Sequence, residues 1–168
     1  MGPSSPVSTY IGRTVDLLAF DDMDLLREVK LTQAIVKPGE SGALIAGIQK
    51  LVQRFLIELL TVRGTLLYLP ARGTDFMLEG RLGIWRTTND LEQSFYSAIA
   101  DLRDNLVLEE SDDDPADEKF GAATLISASF IQGEVVIRVL LTSQAGISRE
   151  ILLPLRTTTA NLGPTDGI

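Results

Sequence analysis

Carboxylates are the reactive groups this chain has in quantity. It carries 23 Asp and Glu but no histidine and no cysteine in 168 residues. Without cysteine there is no disulfide, thiolate nucleophile or cysteine–zinc site. Without histidine there is no Ser-His-Asp triad, His-bound metal or imidazole base. Catalysis would rest on carboxylate, lysine, serine or tyrosine alone. The acids nearest an apolar, turn-rich segment with an aromatic are Glu58, Asp75 and Glu79. A glycosidase needs two such acids about 5–10 Å apart in a sugar cleft. Glu58 falls on the polar face of a helical pattern and reads as solvated. A second stretch, residues 109–118 (EESDDDPADE), holds seven acids in ten positions. It lacks the ligand spacing and central glycine of an EF-hand. It reads as a linker kept open by self-repulsion, and no cofactor or metal is expected.

The elements that would position these groups begin with an amphipathic helix. Leu44, Ile45, Ile48, Leu51, Val52, Phe55, Leu56, Leu59 and Leu60 mark one face of a 3.6-residue period. Gln49, Lys50, Gln53, Arg54 and Glu58 lie opposite. Ser41 is the expected N-cap, and Gly64 closes the helix. Residues 65–69 (TLLYL) read as a short strand, 70–75 (PARGTD) as a loop, and 76–85 (FMLEGRLGIW) as irregular. A second helix follows, with Asn89 as expected N-cap and Glu92 completing a capping box. Its apolar face is Leu91, Phe95, Ala98, Ile99, Leu102 and Leu106. Leu51, Phe55, Leu59, Leu91, Phe95 and Leu102 should therefore meet in one core. Trp85, beside it, reads as packing.

The last third is the most strand-prone. Residues 119–131, 134–142 and 147–155, separated by short turns, predict an antiparallel meander. Pro154 cannot donate to a ladder and places the last strand at an edge. Alternation puts Ile147, Arg149, Ile151 and Leu153 on one face. Upstream, strand-like content around 15–20 and 27–36 suggests a hairpin or an arm laid on a neighbour. The fold class is thus α+β: two amphipathic helices on a mainly antiparallel sheet, with an N-terminal arm (1–36), a core domain (37–158) and a flexible tail (159–168).

Composition narrows the partners. The net charge of −8 and the dispersed basic residues argue against nucleic acid and anionic lipid. No apolar run reaches the length of a membrane span, and no secretory leader is visible.

The order of these signals carries a resemblance. A helix runs into Leu59-Leu60-Thr61, then Gly64-Thr65, Pro70 and Gly73. A second helix follows, then a meander ending in an apolar-Pro-apolar strand. This resembles the sheath-initiator family of phage contractile-tail baseplates, small wedge proteins often catalogued as lysozyme-like. The likeness covers residues 40–155. It implies a non-enzymatic structural protein of the virion tail baseplate, made in the host cytoplasm. Six copies would surround the tail axis, touching the tail sheath protein, the wedge, and hub or tube proteins. The family offers a sheet edge to which sheath-subunit arms add strands. Here that edge would comprise Val135, Ile137 and Val139 with Ile147, Arg149, Ile151 and Leu153. Many family members follow the second helix with Glu-Pro-Arg, whereas this chain has Leu106-Val107-Leu108-Glu109-Glu110. The equivalent part of a type VI secretion system or other contractile injector, and a carboxylate glycosidase, are the alternative readings.

Overall fold

The computed structural model describes residues 16–17, 20–21, 30–31, 44–131 and 134–156. Most of the expected arm, the Ser41 cap and the tail 159–168 lie outside them. Strands β1 (Asp16–Leu17), β2 (Phe20–Asp21), β3 (Lys30–Leu31) and β4 (Leu44–Ile45) form two small antiparallel pairs, β1 with β4 and β2 with β3. Asp16 also accepts a hydrogen bond from Gln53 Nε2 at 2.9 Å. Part of the segment assigned to an arm therefore lies against the core domain.

Helix α1 (Ile48–Leu60) is shorter than its periodicity suggests, and its N-cap is Gly47. Leu44 and Ile45 match the helical pattern, but pairing with β1 draws them into a strand. No capping side chain precedes α1. Instead Glu118, buried and distant in sequence, accepts from the Gly47 N–H at 3.0 Å and from Lys50 Nζ at 2.9 Å. A carboxylate is well placed at a helix N-terminus, where unpaired N–H groups converge.

The short helix α2 (Phe76–Arg81) occupies a stretch expected to be irregular. Gly80 fits there because a Cβ would meet the Trp85 ring at 2.6 Å. Trp85 is buried as expected, 4.5 Å from the Phe76 ring centroid, and donates through Nε1 to Ser94.

Helix α3 (Thr88–Glu109) starts earlier than predicted. Thr87 is the N-cap and Asp90 the reciprocal partner, not Asn89 and Glu92. Thr87 Oγ1 accepts from the Asp90 N–H at 3.1 Å, and Asp90 Oδ2 accepts from the Thr87 N–H at 2.9 Å. Asp has the shorter side chain, yet it closes the box. The Thr87 hydroxyl, then its backbone N–H, holds the Asp90 carboxylate below the usual range. A depressed folded-state pKa means the cap is fully present above the ordinary Asp value and is lost as pH falls through the folded value. The acid limb of a pH–stability curve should therefore be shallower in Asp90→Asn than in the wild type. Identical limbs would show that the cap carries no such linkage.

The three late strands appear as expected: β5 (Phe120–Ile131), β6 (Glu134–Ser143) and β7 (Ser148–Arg156), antiparallel in the order β5-β6-β7. One face of this sheet carries α1 and α3. Leu51, Val52, Phe55, Leu56 and Leu59 of α1 pack with Leu91, Phe95, Leu102 and Leu106 of α3 over Val135, Ile137, Val139 and Leu141. All six core residues expected from the sequence are fully buried. A register shift between Leu125 and Ser127 inserts Ile126 as an extra residue in β5. The α+β reading stands, with the sheet a single meander.

Candidate partner-binding site

Two surfaces are built in a way that suits a partner: the outer edge of β7 and the loop between α1 and α2. The edge follows from hairpin geometry. Ser143 N–H donates to Ile147 O at 2.9 Å, and Gly146 N–H to Ser143 O at 3.0 Å, closing a three-residue turn. In an antiparallel ladder, hydrogen-bonded and non-hydrogen-bonded pairs alternate. The bonded set therefore continues through Leu141–Arg149, Val139–Ile151, Ile137–Leu153 and Val135–Leu155. Ser148, Glu150, Leu152 and Pro154 lie between, so their backbone groups point away from β6. Proline is tolerated at 154 because the donor it lacks faces outward.

This corrects the edge expected from side-chain alternation. Val135, Ile137 and Val139 belong to the central strand and are fully buried. Ile151 and Leu153 turn their side chains to the core and their backbone to β6. Arg149 shares their register, and Ile147 sits half-exposed where β7 begins. An added strand would meet Ser148, Glu150 and Leu152 instead. The sequence did contain the signal. A proline fixes which parity faces outward, and residues 148, 150 and 152 share the parity of 154. On the outer face, Arg138 bonds Glu150 through Nε at 2.6 Å.

The loop uses every residue of the motif. Leu59 is buried at the end of α1, and Leu60 packs beside it. Thr61 is the C-cap, and its carbonyl accepts the Thr74 N–H at 2.9 Å. Gly64 (φ 81°) donates its N–H to Pro70 O at 3.1 Å, which pins the loop across its neck. Thr65 Oγ1 donates to Val62 O at 2.6 Å. Gly73 (φ 87°) donates to Glu58 Oε2 at 3.0 Å. Residues 65–69 are accordingly turns, not the expected strand, because the Gly64–Pro70 bond folds them back.

Glu58 is buried rather than solvated. It pairs with Arg72, which also pairs with Glu109 at the end of α3, and Arg54 lies 3.5 Å from Glu109. Burial works against charge on Arg72, but Glu109 and Glu58 hold the guanidinium above its ordinary range. Arg63 pairs with Asp101. The loop is thus bolted to both long helices. Glu79 takes the Ser94 hydroxyl, and Asp75 is exposed. Each carboxylate singled out for glycoside chemistry other than Asp75 is engaged in holding the fold.

The acidic stretch 109–118 is compact rather than open. Glu110 accepts from the Phe120 N–H at 2.6 Å, and Asp114 from the Ser111 N–H at 2.8 Å. Among the described residues no group of acids is arranged to hold a metal ion, and no helix is long and apolar enough to cross a membrane. No family model, curated protein or solved structure matches the chain.

Proposed function

We infer that this protein is a structural baseplate component of a contractile phage tail that nucleates sheath assembly. In this reading β7 offers its outer edge to an extended arm of the sheath subunit, and the remaining surface joins the sheath to the baseplate wedge. The observation that carries it is the outward-facing backbone of Ser148, Glu150 and Leu152 on a strand whose inner side is fully paired. Backbone hydrogen bonds would supply the attachment, and outer-face side chains the register. The resemblance through Leu59-Leu60-Thr61, Gly64-Thr65, Pro70 and Gly73 supplies the identity of the partner. Six copies around the tail axis would match the symmetry of such a plate.

The test places proline where it removes an outward donor. Leu152→Pro should leave a soluble, folded protein, yet tails assembled with it should show tubes without sheath by electron microscopy. Ile151→Pro is the contrast, because its N–H bonds to β6 and its loss should destabilise the sheet itself. Normally sheathed tails with Leu152→Pro would remove the sheath arm from this edge.

A further inference from the structure

The sheet has a second open edge, and it is built unlike β7. Among the described residues β5 pairs with β6 alone. The ladder fixes which of its backbone groups are spare. In β6 the odd-numbered residues from Val135 to Ser143 bond to β7, so the even-numbered ones bond to β5. Ala122, Thr124, Ser127 and Ser129 face those partners. Ala123, Leu125, Ala128 and Phe130 therefore turn their N–H and C=O groups outward.

Edge strands are usually guarded by proline, charge or short length. Strand β7 carries Arg149, Glu150 and Pro154. Strand β5 runs for 12 residues with no proline and no charged side chain, in a chain of net charge −8. Its departure from regularity between Leu125 and Ser127 is the bulge at Ile126. That extra residue shifts the outward set from odd numbers (Ala123, Leu125) to even ones (Ala128, Phe130). A second β5, laid antiparallel about a two-fold axis at the bulge, restores the match. Ala123 and Leu125 of one copy then face Phe130 and Ala128 of the other. Phe130, 42% exposed, comes to lie beside a small alanine.

The same register brings Lys119, just ahead of β5, towards Glu134, which opens β6 beside the far end of β5. The two ends of the contact thus meet with opposite charge. Such a two-fold contact closes on itself. It makes a six-stranded sheet whose free edges are the two β7 strands, and Pro154 limits those.

We propose that β5 pairs with β5 of a second copy of this chain, antiparallel about a two-fold axis at Ile126 and Ser127, to form a dimer. The contact uses the sheet edge opposite β7, and the inference does not depend on the sheath reading.

Sedimentation velocity of the purified chain over a range of concentrations tests it. The wild type should form a dimer. Thr124→Lys combined with Ser127→Lys should weaken dimerisation on the order of tenfold or more, about 1.4 kcal/mol per decade, because it sets like charges across the axis. Its circular dichroism should match the wild type, since both side chains are exposed on the face away from the helices. Leu152→Pro should dimerise as the wild type does. The chain has no cysteine, so Ser127→Cys places a single thiol beside the axis. Oxidation with copper phenanthroline should link two copies of that variant, whereas Ser148→Cys on β7 should stay unlinked. The proposal is overturned if the wild type sediments as a monomer throughout, or if the double-lysine variant dimerises equally well. It is also overturned if Ser148→Cys links and Ser127→Cys does not, which would give the contact to β7.

Discussion

Phe55→Ala is expected to destabilise the protein by about 3–5 kcal/mol, the cost of emptying a large aromatic site in a core that cannot fully collapse. Phe55 is fully buried and belongs to the cluster shared by α1, α3 and β6. Phe95→Ala should behave alike, because its ring lies 6.1 Å from Phe76 and closes the same core from α3. Urea denaturation read by circular dichroism measures both. A midpoint shift that, multiplied by an unchanged slope, amounts to less than about 1 kcal/mol would show that these rings do not hold the core together.

Gly73→Ala is expected to be nearly as severe, roughly 3 kcal/mol, the upper end of the cost of a strained position outside glycine. Two effects combine there. The backbone φ is 87°, and an added Cβ would lie 2.3 Å from the Thr61 carbonyl oxygen. That oxygen is backbone and already bonds Thr74, so it cannot move aside cheaply. The Gly73 N–H on Glu58 would be displaced as well, leaving that buried carboxylate short of one hydrogen bond. Gly64→Ala provides the comparison. Its φ is 81° but nothing lies within 4 Å of the Cβ position. It should cost only the left-handed backbone penalty of about 1–2 kcal/mol. Equal losses at the two positions would mean that the close approach to Thr61 is not what selects glycine at 73.

The helices and the meander were legible because their signals are local. Period 3.6 in Leu51, Phe55 and Leu59, and alternation in Val135, Ile137 and Val139, report burial without knowledge of any partner. What was not legible depends on contacts distant in sequence. Glu58 reads as a polar-face residue until Gly73 and Arg72 come to it. Glu118 reads as one more acid in a charged run, yet it substitutes for the missing cap of α1. Residues 65–69 read as a strand because their composition is apolar, but the Gly64–Pro70 hydrogen bond decides against it. Side-chain alternation picked residues other than those whose backbone faces outward on β7, because it reports which face is buried, while strand addition depends on where the backbone groups point. The Ser143–Ile147 pair that closes the turn at residues 144–146 fixes which residues of β7 point their backbone outward.

Pro154 also limits how the β7 edge can pair with further copies of the chain. An unpaired strand edge is a template for stacking copies of the same chain. On β7 the template is short. Donors face outward at Ser148, Glu150 and Leu152, and the series is interrupted at 154. A fourth strand, from another copy, would lose a hydrogen bond there and meet the pyrrolidine ring. The Arg138–Glu150 pair adds charge on the same face, which discourages a dry, sheet-on-sheet contact. The edge is therefore long enough to accept a few residues of an incoming strand but too short and too polar to favour propagation into a fibril.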